Sequence, residues 1–350
     1  MELQDYLEQA VKRRASDIFI GAGRRVSFKI NGLFVPIGDH AASSDDANKM
    51  IADLYSIADR PMERIKEIGD DDFSMHVKEI ARFRVNVFRQ RGTMAAVIRV
   101  VSFGIPDYSG LRIPDEIMGI ASARSGLVLV TGSAGSGKTT TLACILDRIN
   151  QSRNCHIITL EDPVEYLHKD NRSIINQREI SIDTGSYITA LRASLRQSPD
   201  IILLGEMRDL ETIGTAMTAA ETGHLVLSTL HTSGAVNTLD RIIDVFPPNQ
   251  QHQIRAQLSM ALRTVASQIL LPDISGGLVP AFEILHVNSA VRTYIREGKT
   301  HQIDNVIETS SNQGMVSMDA SVSKLFKDGH ITRKTVIDYG AFEHRDDDLP

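Results

Sequence analysis

The 350-residue chain contains no tryptophan and only two cysteines, Cys144 and Cys155. Two thiols cannot build a four-cysteine zinc site or a disulfide framework, so they read as reduced, buried thiols of a cytosolic protein. Aromatic residues are scarce at 5%, and basic charge is not in excess: 38 Lys and Arg stand against 44 Asp and Glu, a net −6. No global field draws in nucleic acid, and few rings are available to stack on bases. The longest apolar runs, such as Gly126–Val130 and Ile201–Leu204, fall far short of the ~20 residues of a membrane span. The opening MELQDYLEQAVKRR lacks the basic start and apolar core of a signal peptide. A cytoplasmic chain is expected, with any membrane link made through a partner. The remaining composition, 42% hydrophobic and 23% charged, excludes disordered and collagenous classes. At about 150 residues per domain, the length suits two domains.

The first hundred residues mix short strands with helices. Leu3, Tyr6, Leu7, Ala10 and Val11 share one side of an opening helix, and Val26, Phe28 and Ile30 alternate along a strand that ends in an Asn31-Gly32 turn. In RFRVNVFRQRG, Phe83, Val85 and Val87 point one way and Arg82, Arg84 and Asn86 the other; residues 95–101 form a further strand. This is a small antiparallel α+β domain over 1–101. Residues 102–116, with Pro106 and Pro114, read as a linker. From 117 to 350 the rhythm changes. GLVLVTG, HIITLED, IILLGE and LVLSTLH are nearly continuous apolar runs, as expected of strands covered on both faces of a parallel α/β sheet. Ile254, Leu258, Leu262, Val265 and Ile269 have the spacing of one amphipathic helix. Helices near 289–297 and 318–327 and a frayed acidic tail, EHRDDDLP, complete the chain.

GSAGSGKT at 132–139 matches the phosphate-loop pattern in full, with a buried strand before it and a helix from Thr140 after it. Gly132, Ser133, Ala134, Gly135, Ser136 and Gly137 would wrap their N–H groups around phosphates, backed by the helix N-terminus that Thr140 continues. Lys138 would reach the β- and γ-phosphates of ATP, and Thr139 would ligate Mg²⁺. Glu206 ends the strand Ile201–Leu204 with a carboxylate suited to Mg²⁺ or the attacking water. Glu161, Asp162 and Glu165 gather after another strand, where carboxylates can polarise water or hold a hydrated metal. His224 and His231 bracket LVLSTLH about 23 Å apart at strand rise, too far to share a metal; His231 lies at the ligand end. Arg82, Arg84, Arg89 and Arg91 could neutralise phosphoryl charge if another domain or subunit brings them in.

In this order, LEDPVE (160–165), GEMRDLET (205–212) and ETGHLVLSTLHT (221–232) resemble the Asp box, Walker B segment and His box of the secretion ATPase superfamily. ASDIFIGAG, RFRVNVFRQRG, LRASLRQSPDIILLGEMRD, AVRTYIREGKTHQI (290–303) and GMVSMD narrow the resemblance to its PilT-type pilus retraction branch, over about residues 3–330. Gln197 and Ser198 replace a usual acidic pair, Arg24-Arg25 a proline-rich turn, and Val291 an isoleucine; none touches the ATP motifs. Assembly ATPases of the superfamily are longer and usually carry a zinc module. The resemblance implies a PAS-like domain ahead of a RecA-like ATPase domain, in a homohexamer. It also implies ATP between domains or subunits, with Arg82 and Arg84 completing the site. By position it makes Glu206 the general base, Glu161 and Glu165 acidic-box residues, and His231 a phosphate sensor. Residues 290–297 would couple the ring to a pilus platform protein of the inner membrane, placing the motor at that membrane's cytoplasmic face.

Three other functions fit the phosphate loop less well. A type IV secretion traffic ATPase would not usually carry the 290–303 motif. A RecA-like nucleic-acid translocase would show a basic, aromatic surface. A nucleotide-binding regulator has no use for both Lys138 and Glu206.

Overall fold

Residues 2–30, 32–77, 80–101 and 104–339 are described in this computed structural model. Asn31 of the expected turn, Ser102 and Phe103 of the expected linker, and the acidic tail lie outside the described residues. The chain divides into two units: one up to Gly104, the other from Ile105 onward apart from Glu165–Leu167.

The first unit contains α1 (Leu3–Lys12), β1 (Asp17–Gly21), β2 (Ser27–Ile30), β3 (Leu33–Pro36), α2 (Ser44–Ile57), α3 (Glu63–Glu67), β4 (Asp70–Val77), β5 (Ala81–Gln90) and β6 (Thr93–Val101). The strands form an antiparallel sheet in the order β3-β2-β1-β6-β5-β4. Period-two alternation sends Phe83, Val85 and Val87 into a core with Leu7, Ile51, Leu54 and Tyr55 of the helices. Asp71 is buried in that core, satisfied by Arg60 Nη2 at 2.8 Å and the Tyr55 hydroxyl at 3.1 Å. Breaking a buried pair of this kind typically costs about 3–5 kcal/mol. Arg82 and Arg84 occupy the opposite side of β5, half-buried and exposed respectively.

The second unit contains α4 (Asp115–Met118), β7 (Gly126–Thr131), α5 (Lys138–Ser152), β8 (His156–Glu161), β9 (Ile174–Glu179), α6 (Tyr187–Ser194), β10 (Ile201–Leu204), α7 (Leu210–Glu221), β11 (Leu225–Leu230), α8 (Ala235–Asp244) and α9 (Pro248–Ala261). It continues with β12 (Leu262–Pro272), β13 (Leu278–His286), α10 (Ser289–Glu297), α11 (Ile303–Thr309), α12 (Met318–Lys327) and α13 (Arg333–Asp338). The sheet order is β13-β12-β7-β11-β10-β8-β9, parallel except for β13. Leu127, Leu129, Ile158, Leu160, Ile202 and Leu204 face one helical layer; their neighbours Val128, Val130, Ile157, Ile201 and Leu203 face the other. Burial on both faces is why these strands read as unbroken apolar runs.

The sequence expectation fails at one element. The helix anticipated through Ile254–Ile269 stops at Ala261, and Leu262–Pro272 is strand β12. Leu262, Val265 and Ile269 continued the helical spacing by coincidence. Their segment lies between β7 and β13 and is buried along most of its length, so it too had little polar punctuation. The proline-rich segment is also more than a connector. From Ile105 onward it packs on the second unit, with Ile113 buried and Ile105, Tyr108 and Leu111 against the same core. There the Cys144 thiol lies 3.4 Å from the Pro106 carbonyl oxygen. Burial pushes that thiol up to about 11, so it stays protonated and unreactive. Cys155 is half-buried rather than buried, 3.2 Å from the Ser173 hydroxyl.

Candidate active site

The phosphate loop joins buried β7 to α5. Gly132 has φ +140°, and a Cβ there would run into the Gln268 carbonyl oxygen and sit 2.6 Å from Ser136 Oγ. Gly137, the N-cap of α5, has φ +87°, and a Cβ there would meet Gln268 Nε2 at 2.8 Å. Only glycine suits either position. Ser133, Ala134 and Gly135 are exposed. Lys138 is buried, its ammonium donating to the carbonyl oxygens of Gly132 at 2.9 Å and Ser133 at 2.8 Å. Ser136 is buried too, and its hydroxyl lacks a partner among the described residues. Thr139 and Thr140, half-buried, occupy the first turn of α5, which carries no acidic residue. First-turn N–H groups lack intrahelical acceptors, so the loop brings together an orphaned hydroxyl, helix-start N–H groups and an ammonium, a donor set matched to phosphate oxygens.

The other half of the site lies along the same edge of the sheet. Strand pairing sets Thr131 of β7 beside Leu230 of β11, and Leu204 of β10 beside Leu160 of β8. Chain exits at 132, 231, 205 and 161 therefore line up at the carboxyl ends of the strands, where open α/β sheets bind ligands. β10, which leads into Glu206, is two strands from β7, about 10 Å at ordinary sheet spacing. The turn that carries it is pinned: Gly205 N–H donates to Leu160 O at 2.8 Å and the Thr229 hydroxyl to Gly205 O at 2.5 Å. Glu206 Oε2 lies 2.6 Å from Arg208 Nε and 3.7 Å from His231 Nε2. Glu161 is buried, accepting from Thr159 Oγ1 at 2.6 Å and Gln177 Nε2 at 3.1 Å. The phenol of Tyr187 stands among these acids. Burial pushes its pKa up first, and the charges of Glu206, Asp162 and Glu161 push it further, with Arg208 opposing.

The family model for type II/IV secretion system proteins matches residues 2–318. The chain belongs to that family. Among members of the secretion family, the type IV pilus retraction ATPase PilT of Pseudomonas aeruginosa is 40% identical over 334 residues, 95% of this chain and 96% of its own length. The twitching motility protein of Neisseria gonorrhoeae is 44% identical over 290 residues, 83% of this chain and 77% of its own length. A crystal structure of the pilus retraction motor PilT with bound ADP superposes with a TM-score of 0.90 at 42% identity, covering 98% of each chain. The secretion family's α/β fold, with a parallel sheet and a smaller α+β unit ahead of it, is thus the fold of this chain.

Within this family member, Glu206 and His231 come together as neighbours, and Glu161 joins them along the strand ends. Glu165 does not join them in the second unit: it is exposed and falls in the excluded stretch Glu165–Leu167. His224 sits at the opposite end of β11, where its Nδ1 lies 3.0 Å from the Ala219 carbonyl oxygen and finishes α7. Arg82 and Arg84 belong to the first unit.

Two residues escaped sequence reasoning. Gln268 lies on β12, misread as helix. It is buried, accepts from Thr141 Oγ1 at 2.7 Å, and backs Gly132 and Gly137. Tyr187 opens α6 in no motif. Gln268→Ala removes the support beneath the loop, and the lost buried hydrogen bond predicts roughly a tenfold weaker affinity for ATP. Titration with a fluorescent ATP analogue checks this; wild-type affinity would show that the loop holds its shape unaided.

Proposed function

We propose that this chain is an ATP-hydrolysing motor that powers type IV pilus retraction and hence twitching motility. The observation that carries the reading is the end-to-end similarity to an ADP-bound retraction motor. The phosphate loop and Glu206 at the strand ends supply the chemistry. Glycines 132, 135 and 137 with Ser133, Ala134, Ser136 and Thr140 cradle the phosphates, and Lys138 pairs with β- and γ-oxygens. Glu206 takes the proton of the attacking water, Glu161 polarises that water's surroundings, and His231 reports the γ-phosphate to Glu206. Glu165 serves with Glu161 as an acidic-box residue.

Among the described residues no three acids, histidines or cysteines converge as a metal cage. Hard oxygen donors at the loop, with Thr139 first, suit Mg²⁺, which keeps waters and leans on substrate phosphates. Bound Mg²⁺ would neutralise charge on the β,γ-phosphates. Thr139 would hold it.

The motor acts as a homohexamer, with Arg82 and Arg84 supplied by a neighbouring subunit to the phosphoryl charge. Arg82→Ala or Arg84→Ala is expected to reduce kcat more than ATP affinity, by about tenfold or more for a guanidinium that acts in the transition state. Steady-state rates equal to wild type in both variants would return them to a plain surface. Among the described residues no helix is long and apolar enough to cross a membrane, so attachment to the cytoplasmic face of the inner membrane would run through the platform protein, by way of residues 290–297. Deletion of the gene tests the whole reading: surface pili should accumulate while twitching stops. Loss of pili altogether would point to assembly instead.

A further inference from the structure

Gln177 lies on β9, the edge strand of the second unit's sheet, and pairs in register with Thr159 of β8. Period-two alternation puts Thr159 and Glu161 on one face of β8, and the register sets Gln177 beside them. Its carboxamide is held at both ends. The His168 N–H donates to Gln177 Oε1 at 2.8 Å, and Gln177 Nε2 donates to Glu161 Oε1 at 3.1 Å. These partners fix which end of the amide is which, because a backbone N–H only donates and an ionised carboxylate only accepts. The Thr159 hydroxyl donates to the same Glu161 oxygen at 2.6 Å. The two donors differ in origin. Thr159 is two residues away on the strand that carries Glu161, whereas Gln177 reaches across from the neighbouring strand and is braced by the chain at His168. Glu161 is buried, where a hydrogen bond to a charged group counts for more than at the surface.

We propose that Gln177 is a positioning residue for Glu161, its carboxamide holding that carboxylate ionised and in one orientation at the strand end. One donor on its own strand would let the Glu161 oxygen swing along an arc. A second donor from another strand fixes its place. Hydrogen bonds to the charged form of a carboxyl group also favour that form, which a buried acid needs if it is to act on water as an anion. The His168 N–H supplies the brace, because an amide held by its oxygen cannot turn its NH₂ away from Glu161. This proposal rests on Glu161 serving hydrolysis as an acidic-box residue.

Purified wild type, Gln177→Met, Gln177→Glu, Glu161→Gln and the double variant Glu161→Gln/Gln177→Met are compared in steady-state ATP hydrolysis with Mg²⁺. Gln177→Met keeps the length of the side chain and loses both hydrogen bonds. It should lower kcat about tenfold, the lower end for a hydrogen bond to a charged group, with KM for ATP within about twofold. Gln177→Glu keeps an oxygen for the His168 N–H but turns an acceptor toward Glu161. It should lower kcat at least as much. In the Glu161→Gln background, itself slow, adding Gln177→Met should cost less than about twofold, because the carboxylate through which Gln177 acts is gone. A side chain that only braces the chain at His168 would give a wild-type kcat for Gln177→Glu and losses that multiply in the double variant. Either result, or a wild-type kcat for Gln177→Met, would overturn the positioning role while a slow Glu161→Gln leaves the acidic box in place. A wild-type kcat for Glu161→Gln would overturn the role of Glu161, and this proposal with it.

Discussion

Lys138→Ala is expected to abolish ATP turnover and to weaken nucleotide binding by about a hundredfold or more. The ammonium is buried and held over the loop by two carbonyl oxygens, contacts that anionic phosphate oxygens replace with far stronger ones. Each charge-assisted hydrogen bond to phosphate is worth about 1.5–3 kcal/mol, and two of them give the expected factor. Alanine also leaves the Gly132 and Ser133 carbonyls without this donor, so the loop loses its internal strut together with its cation. A fluorescent-nucleotide titration and a phosphate-release assay measure the two effects separately. Wild-type affinity would mean that phosphates bind elsewhere than in the turn between β7 and α5.

Glu206→Gln separates binding from chemistry. The amide matches the carboxylate in shape but cannot take a proton from water. The loop, Gln268 and Lys138 are untouched, so ATP affinity stays within about twofold while kcat falls by about 10²–10⁴, the usual worth of a positioned general base. Arg208, 2.6 Å from Oε2, loses its ionic partner, which itself becomes a readout: a second substitution at Arg208 should add little to the loss already present in Glu206→Gln. The check is single-turnover hydrolysis with enzyme in excess. An undiminished rate would move the base to another group, with Glu161 at the end of neighbouring β8 a candidate.

The parts of this fold that were legible in sequence are those where one physical constraint acts alone. β7, β8, β10 and β11 are buried on both faces, and nothing but apolar residues fits them. The phosphate loop needs glycine where Gly132 and Gly137 meet Gln268, and the motif records that need directly. The outward arginines of β5 follow from period-two alternation. β12 was misread because two constraints coincided: a helix, α9, runs straight into a buried strand at Leu262, and apolar residues on both sides of the junction keep one spacing. Gln268 was hidden inside that misreading. Tyr187 and Gly205 were invisible for another reason. A Cβ at 205 would stand 2.8 Å from the Tyr187 hydroxyl. That is a single close approach between α6 and the turn after β10, residues 18 apart, and neither residue type signals it. Motif reading also grouped Glu161 with Glu165, four residues apart, although one is buried at a strand end and the other is exposed outside the second unit. Spacing along the chain cannot show where the chain turns away.

The central claim is that ATP cleavage beside Glu206 drives pilus retraction. Its most direct test follows individual fluorescently labelled pili on living cells whose only copy of the gene carries Glu206→Gln. Pili that extend and stay extended, with retraction events lost, are the predicted result. Retraction at the wild-type frequency and speed in those cells would contradict it.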